Sequence, residues 1–111
     1  MVLYDVVMTK KAESQLQEYV DYIVYTLLND DAAKSVLADA RETREALSKV
    51  ASSLRYCDHP ELRKREIRSI FFRKHQYVML YRIEGTTVFV EAVYHQKQDY
   101  ENIFSNTYKR R

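Results

Sequence analysis

The stretch that decides the predicted fold is YVMLYRIEGTTVFVEAVYH, residues 77–95. β-branched, aromatic and other apolar residues fill both faces on either side of Gly85 and Thr86, which is the pattern of two antiparallel strands joined by a tight turn. A third β-rich segment precedes them, so we expect an antiparallel sheet at about residues 63–96. The three predicted strands are 66–72, 76–84 and 87–95.

Two helices are predicted ahead of this sheet. Apolar residues recur every three or four positions over 10–28 and again over 32–54, and Asn29, Asp30 and Asp31 interrupt them. The two helices form a hairpin at about 9–54, in which Thr9 is the expected N-cap. The residues expected to face the sheet are Leu16, Ile23, Leu37 and Leu47. The residues expected on the opposite face of the second helix are Asp39, Arg41, Glu42, Glu45 and Lys49.

A further β-rich segment over 2–8 begins the chain. The element order is therefore β-α-α-β-β-β, with a loop over 55–62 and a short tail around 100–104. This order predicts an α+β fold in which a helical hairpin packs on a small antiparallel sheet. The length of 111 residues is that of one domain, spanning 1–111.

Composition excludes several kinds of site. Gly85 is the only glycine, so no phosphate-binding or dinucleotide-binding glycine motif can be written here. Cys57 is the only cysteine, which excludes an internal disulfide and is typical of a reducing cytosol. His59, His75 and His95 lack metal-ligand spacing, and no apolar run approaches the roughly 18 residues that span a bilayer. We expect no metal, no small-molecule cofactor, no membrane contact and a cytoplasmic location.

Charge is unevenly distributed along the chain. The net charge is +2, but residues 1–62 carry −4 and residues 63–111 carry +6. This asymmetry favours a polyanionic or acidic partner for the second half, although the same residues are also consistent with a plain solvated sheet face. Tyrosines among the cations offer stacking surfaces for bases. The candidate nucleic-acid-binding or target-binding residues are Arg63, Lys64, Arg65, Arg73, Lys74, Tyr77 and Tyr81.

His95 is a further candidate for chemistry. It ends the last predicted strand, close to Lys97, and a histidine near cations is suited to act as a general base. The alternative is a surface histidine that hydrogen-bonds the backbone.

The order of these elements, together with five short motifs, resembles the RelE/ParE superfamily of toxins from type II toxin–antitoxin systems, the plasmid-stabilisation type. The motifs are EYVDYI at 18–23, DAA at 31–33, IRS at 67–69, YVMLYRI at 77–83 and VYHQKQDY at 93–100. The resemblance covers nearly the whole chain. It implies a small toxin that inhibits growth and is held inactive by a cognate antitoxin, whose contacting segment we expect to be rich in Asp and Glu.

The resemblance leaves the target open between two mechanisms. RelE-like members cut mRNA in the ribosome without a metal, and Arg68, Lys97, His95 and Tyr100 stand at or near positions of that catalytic set. ParE-like members block DNA gyrase instead. Val78 and Gln98 occupy positions where the nuclease pattern has arginine, and the long hairpin is ParE-like, so a gyrase-type toxin is the leading expectation. An mRNA endonuclease and a non-toxic RNA-binding module are the alternatives.

Overall fold

The computed structural model describes residues 3–108; Val2, in the predicted first strand, and the basic residues 109–111 lie outside this part. Within it the strands are β1 Asp5–Met8, β2 Arg68–Phe71, β3 Tyr77–Glu84 and β4 Thr87–His95. The helices are α1 Lys10–Asp21, α2 Asp30–Val50, α3 Pro60–Lys64 and α4 Tyr100–Ser105. A π-helical turn, Tyr22–Thr26, extends α1, and 3₁₀ turns occupy Ala51–Ser53 and Asn106–Tyr108.

The strands form one sheet in the order β1-β4-β3-β2. The antiparallel pairing of β2, β3 and β4 is the predicted one, and Gly85, with φ +58°, makes the turn between β3 and β4. β1, however, pairs with β4 in parallel, from Asp5 opposite Thr87 to Met8 opposite Val90. The sheet is therefore mixed and not purely antiparallel, because the helical hairpin after β1 is part of the long connection that a parallel pair needs.

The helical hairpin covers one face of the sheet. Ala12 and Leu47 are fully buried there against Met79, Tyr81 and Val90. Thr9 caps α1 as predicted, since its hydroxyl accepts a hydrogen bond from the backbone N–H of Ala12. Burial of this apolar surface is what holds the hairpin in place.

The opposite face of the sheet is covered by α3 and α4. The predicted loop over 55–62 contains the start of α3, because Pro60 suits the first position of a helix and the His59 ring caps it by accepting the Glu61 N–H. α4 lies in the predicted tail. The buried side chains between these helices and the sheet are Cys57, Leu62, Ile67, Val78, Leu80, Ala92, Tyr94 and Phe104.

The helix faces differ in part from the prediction. Leu47 and Ile23 are buried and Leu16 is half-buried, but Leu37 is 40% exposed. Leu37 follows the buried Val36 directly, so it lies about 100° further round the helix and off the buried stripe. The predicted first helix also runs too far, because the α-helical part ends at Asp21 and Leu28 lies beyond the π turn with a left-handed backbone, φ +52°.

Candidate target-binding surface

The five cations among the candidate target-binding residues divide into two groups on either side of β2. Arg63, Lys64 and Arg65 lie on or directly after α3, and we call them the α3 cluster. Arg73 and Lys74 lie in the loop between β2 and β3. All five are exposed, but the α3 cluster lies on or directly after a helix, whereas the sheet was predicted to begin at about residue 63.

The charge of the α3 cluster is partly neutralised by neighbours. Arg63 lies 3.7 Å from Asp58, and Arg65 lies 2.5 Å from Glu61 while its guanidinium stacks 3.9 Å from the Tyr108 ring. Lys64 makes no ion pair within the described residues. Lys64 is therefore the member of this cluster whose charge is available to an outside partner.

A buried carboxylate on α2 fixes the loop between β2 and β3. Asp39 accepts hydrogen bonds from the backbone N–H groups of Arg73, Lys74 and His75, at 3.2, 2.9 and 2.9 Å. The prediction that Asp39 lies on the solvent face is wrong, because Asp39 is buried. Val36, Asp39 and Thr43 follow helical spacing towards Leu47, and all four are buried, so the signal was present in the sequence.

The Arg68 side chain makes its contacts within the fold and not with solvent alone. Its guanidinium donates to the backbone carbonyls of Ser52 at 2.9 Å and Leu54 at 2.6 Å, and it stacks on the Tyr56 ring, 4.3 Å from the centroid. These contacts tie β2 to the segment that follows α2. Tyr56, which sequence reasoning did not single out, also accepts a hydrogen bond from Arg68 at 3.1 Å.

The two tyrosines predicted as stacking surfaces have different positions. Tyr81 is fully buried under the hairpin and its hydroxyl donates to the Ala51 carbonyl at 2.7 Å, so this ring is not available to a base. Burial also raises the pKa of the Tyr81 hydroxyl. Tyr77 is half-buried and packs between Tyr19, Phe72 and His95, with ring centroids 4.9, 5.5 and 5.4 Å away.

His95 is engaged by the backbone. Its ring Nδ1 accepts the Lys97 N–H at 3.1 Å, which leaves Nε2 as the nitrogen for any proton transfer. The His95 N–H itself is within hydrogen-bond distance of the Tyr19 hydroxyl and the Gln98 side chain, at 3.2 and 2.9 Å. This arrangement resembles the surface histidine that was the alternative reading of the sequence.

Tyr100 begins α4 beside an acidic cavity. The cavity has a volume of about 420 Å³, and its lining includes Asp58, Asp99 and Glu101. Burial, and then the charge of Glu101, raise the pKa of the Tyr100 hydroxyl. Of the four residues of the candidate nuclease set, Tyr100 alone lines this cavity, so the structure does not bring the set together in it.

Residues 3–108 contain neither a metal-site cluster nor a membrane-spanning helix. In that range no three His, Cys, Asp or Glu side chains are grouped as a metal site requires. No helix in the same range is long and apolar enough to cross a membrane.

Comparison with known proteins shows to which class of protein this chain belongs. Residues 6–100 match the family model described as the ParE toxin of the type II toxin–antitoxin system parDE. The chain is therefore the toxin component of a type II toxin–antitoxin module, with a cognate antitoxin as partner. Within that class it belongs to the ParE toxin family.

The fold agrees with this assignment. The chain is similar to a solved structure of the chromosomal ParDE toxin–antitoxin system from P. aeruginosa, with a TM-score of 0.69 and 19% sequence identity over 84% of this chain and 96% of that one. At that identity the likeness shows the α+β fold alone. No protein with a curated description matches the chain.

Proposed function

We propose that this toxin inhibits growth by binding DNA gyrase in the cytoplasm and does not cut RNA. The observation that carries the proposal is the environment of Arg68. Its Nη1 already donates to the carbonyls of Ser52 and Leu54 and its Nη2 donates to the Tyr56 hydroxyl, so these donors are occupied within the fold. A nuclease needs cations whose donors are aimed at the charge that develops on the phosphate.

The acidic cavity beside Tyr100 supports the same choice. Asp58, Asp99 and Glu101 line it, and carboxylates repel a phosphate backbone. Tyr100 is also poorly suited to give up its proton, since its pKa is raised. An RNA scissile phosphate bound here would meet the like charge of these carboxylates.

The exposed cations supply the binding surface in this proposal. Lys64, Arg73 and Lys74 are exposed and make no ion pair within the described residues. Arg63 and Arg65 flank Lys64 and contribute the remainder of the α3 cluster. Fixed cations of this kind steer a large anionic target such as a DNA-bearing enzyme, and the effect weakens with salt.

Two assays run side by side test the proposal. Purified gyrase is expected to lose supercoiling activity as the toxin is added, whereas primer extension on a reconstituted translation reaction is expected to show no new mRNA ends. Lys64→Glu should weaken gyrase inhibition about tenfold if its charge contributes about 1.4 kcal/mol. Lys49→Glu, on the outer surface of α2, is the matched control.

Codon-positioned mRNA cuts would overturn the proposal, above all if Arg68→Ala and Lys97→Ala lower the cleavage rate by about 10²–10³, the usual effect of losing one electrostatic stabiliser. Salt-dependent RNA binding without growth arrest would also overturn it and would favour a plain RNA-binding module.

A further inference from the structure

The tip of the helical hairpin presents an apolar surface to solvent. Tyr22, Tyr25, Leu27 and Leu28 are all exposed, Leu28 to 82%. They lie within the seven residues 22–28, so the exposed apolar area is contiguous along the chain and not scattered. Contiguous exposed apolar patches mark interaction sites more often than isolated residues do.

The backbone at the tip holds these side chains outward. The Leu27 N–H donates to the Tyr22 carbonyl at 3.1 Å, a bond across five residues that widens the last turn of α1. Leu28 then adopts φ +52°, a left-handed conformation that is unfavourable for a non-glycine residue. Both are local departures from helix geometry, and such departures are frequent where a protein binds something.

A groove lies directly beside the tip. It encloses about 490 Å³ between Tyr22, Leu27 and Val36 on the hairpin side and Lys74, Tyr77 and His95 on the sheet side. A space of this size accepts one or two large side chains from outside. We call it the tip groove.

The charges on the two sides of the tip groove are opposite. Asp30 and Asp31 open α2 on the hairpin side, next to Ala32 in the groove wall. Arg73 and Lys74 lie on the sheet side, where Asp39 fixes their loop. None of these four residues forms an ion pair within residues 3–108, so both charges are available to a partner.

We propose that the tip groove is the contact surface for a second copy of this chain. In a two-fold dimer the same patch faces itself in reverse order, so the acidic side of one copy meets the basic side of the other. The apolar side chains at residues 22–28 then cover each other in the centre. A partner carrying only acidic charge would be attracted to Lys74. The same partner would be repelled by Asp30 and Asp31, which is unfavourable.

Sedimentation equilibrium of the toxin freed from its antitoxin tests this proposal. We expect a monomer–dimer equilibrium over a range of about 1–200 µM, the weak end of specific association. Leu27→Ser should weaken the association about tenfold or more. Phe71→Ser is the matched control and should leave it unchanged, because Phe71 is 54% exposed and Leu27 55%, but Phe71 lies on β2, outside the groove.

A charge reversal tests the reciprocal pairing. Asp31→Lys and Lys74→Glu should each weaken the dimer, and the double variant should restore it, while Lys49→Glu has no effect. Far-ultraviolet circular dichroism confirms that each variant is folded.

Two outcomes would overturn the proposal: a monomer at every concentration, and a dimer that ignores all groove variants. If the monomer's Leu27→Ser variant also loses affinity for the cognate antitoxin or for gyrase, the tip groove is the contact surface for that partner instead. The sedimentation result does not depend on gyrase inhibition, so this proposal and the proposed function fail independently.

Discussion

The carboxylate of Asp39 lies 2.8 Å from the ring Nδ1 of His75, although the two residues are 36 positions apart in the chain. The same oxygen, Oδ2, accepts the backbone N–H groups of Lys74 and His75. Burial by itself would raise the pKa of Asp39, but these hydrogen bonds, with a further one from the Arg73 N–H, outweigh it and hold the pKa below the ordinary 3.8. The carboxylate therefore stays ionised while it anchors the loop.

Asp39→Asn should lower the free energy of unfolding by about 2–4 kcal/mol, because an amide nitrogen cannot accept the N–H groups that the carboxylate oxygen accepts. Denaturant titrations across pH check this. Since the folded-state pKa of Asp39 is depressed, the difference from the native protein should be complete above pH 3.8 and shrink as the pH falls through the lower folded-state value. Glu42→Gln, on the same helix, serves as control, and an equal loss in both variants would contradict the prediction.

Arg68→Ala should destabilise the fold by about 1–3 kcal/mol, because the carbonyls of Ser52 and Leu54 lose a charged donor. Arg68→Lys should recover only part of the loss, since an ammonium cannot reproduce the planar fork or the stacking on Tyr56. Chemical denaturation measures both, with Lys64→Ala as an exposed control expected within about 0.5 kcal/mol of the native protein. An Arg68→Ala protein as stable as the control would mean that these contacts contribute nothing.

Leu47→Ala should cost about 2–5 kcal/mol of stability, as expected for a fully buried leucine whose removal leaves a cavity. Leu37→Ala, three turns earlier on the same helix, should cost well under 1 kcal/mol, because that side chain is exposed. Thermal or denaturant unfolding of the pair is a direct measure of the helix orientation. Similar losses in the two variants would show that the orientation is wrong.

Cys57 should not react with a thiol reagent such as DTNB in the folded protein at pH 8. The thiol is buried, and burial, followed by the charges of Glu101 and Asp58, raises its pKa to about 12, so almost no thiolate forms. Reaction should become fast in denaturant, and its rate at low denaturant therefore reports opening of the region around α4. Rapid labelling of the native chain would contradict this placement.

The long helices and strands could be predicted from the sequence, because the spacing at which apolar residues recur is a local signal. The pattern over residues 77–95 identified β3, β4 and the turn at Gly85. The parallel position of β1 was not predicted, since the pairing of Asp5 with Thr87 depends on where the chain returns and leaves no local pattern. The short helix α3 was missed because its five residues are too few for a period to be visible.

The site was harder to predict than the fold. Because they are cations, Arg73 and Lys74 were predicted to be available to a partner, and both are exposed. The same criterion could not distinguish them from Arg68, because the backbone carbonyls that Arg68 contacts leave no pattern in the sequence. Likewise Tyr81 and Tyr77 both lie on β3, and only the packing of the hairpin decides that the first is buried. Three-dimensional context thus determined which polar and aromatic residues are available to a partner.

The position of β4 between β1 and β3 also governs when this toxin can be assembled during its synthesis. Thr9, directly after β1, hydrogen-bonds to Glu91, 82 residues further along the chain, so the first strand has no neighbouring strand until synthesis has reached β4. Contacts this distant in sequence form late and slowly. A translation product that ends before Thr87 lacks the central strand altogether and cannot close the sheet. Chains that an interrupted ribosome releases before β4 are therefore expected to be inert, and the cell meets a harmful protein only after synthesis has passed this strand.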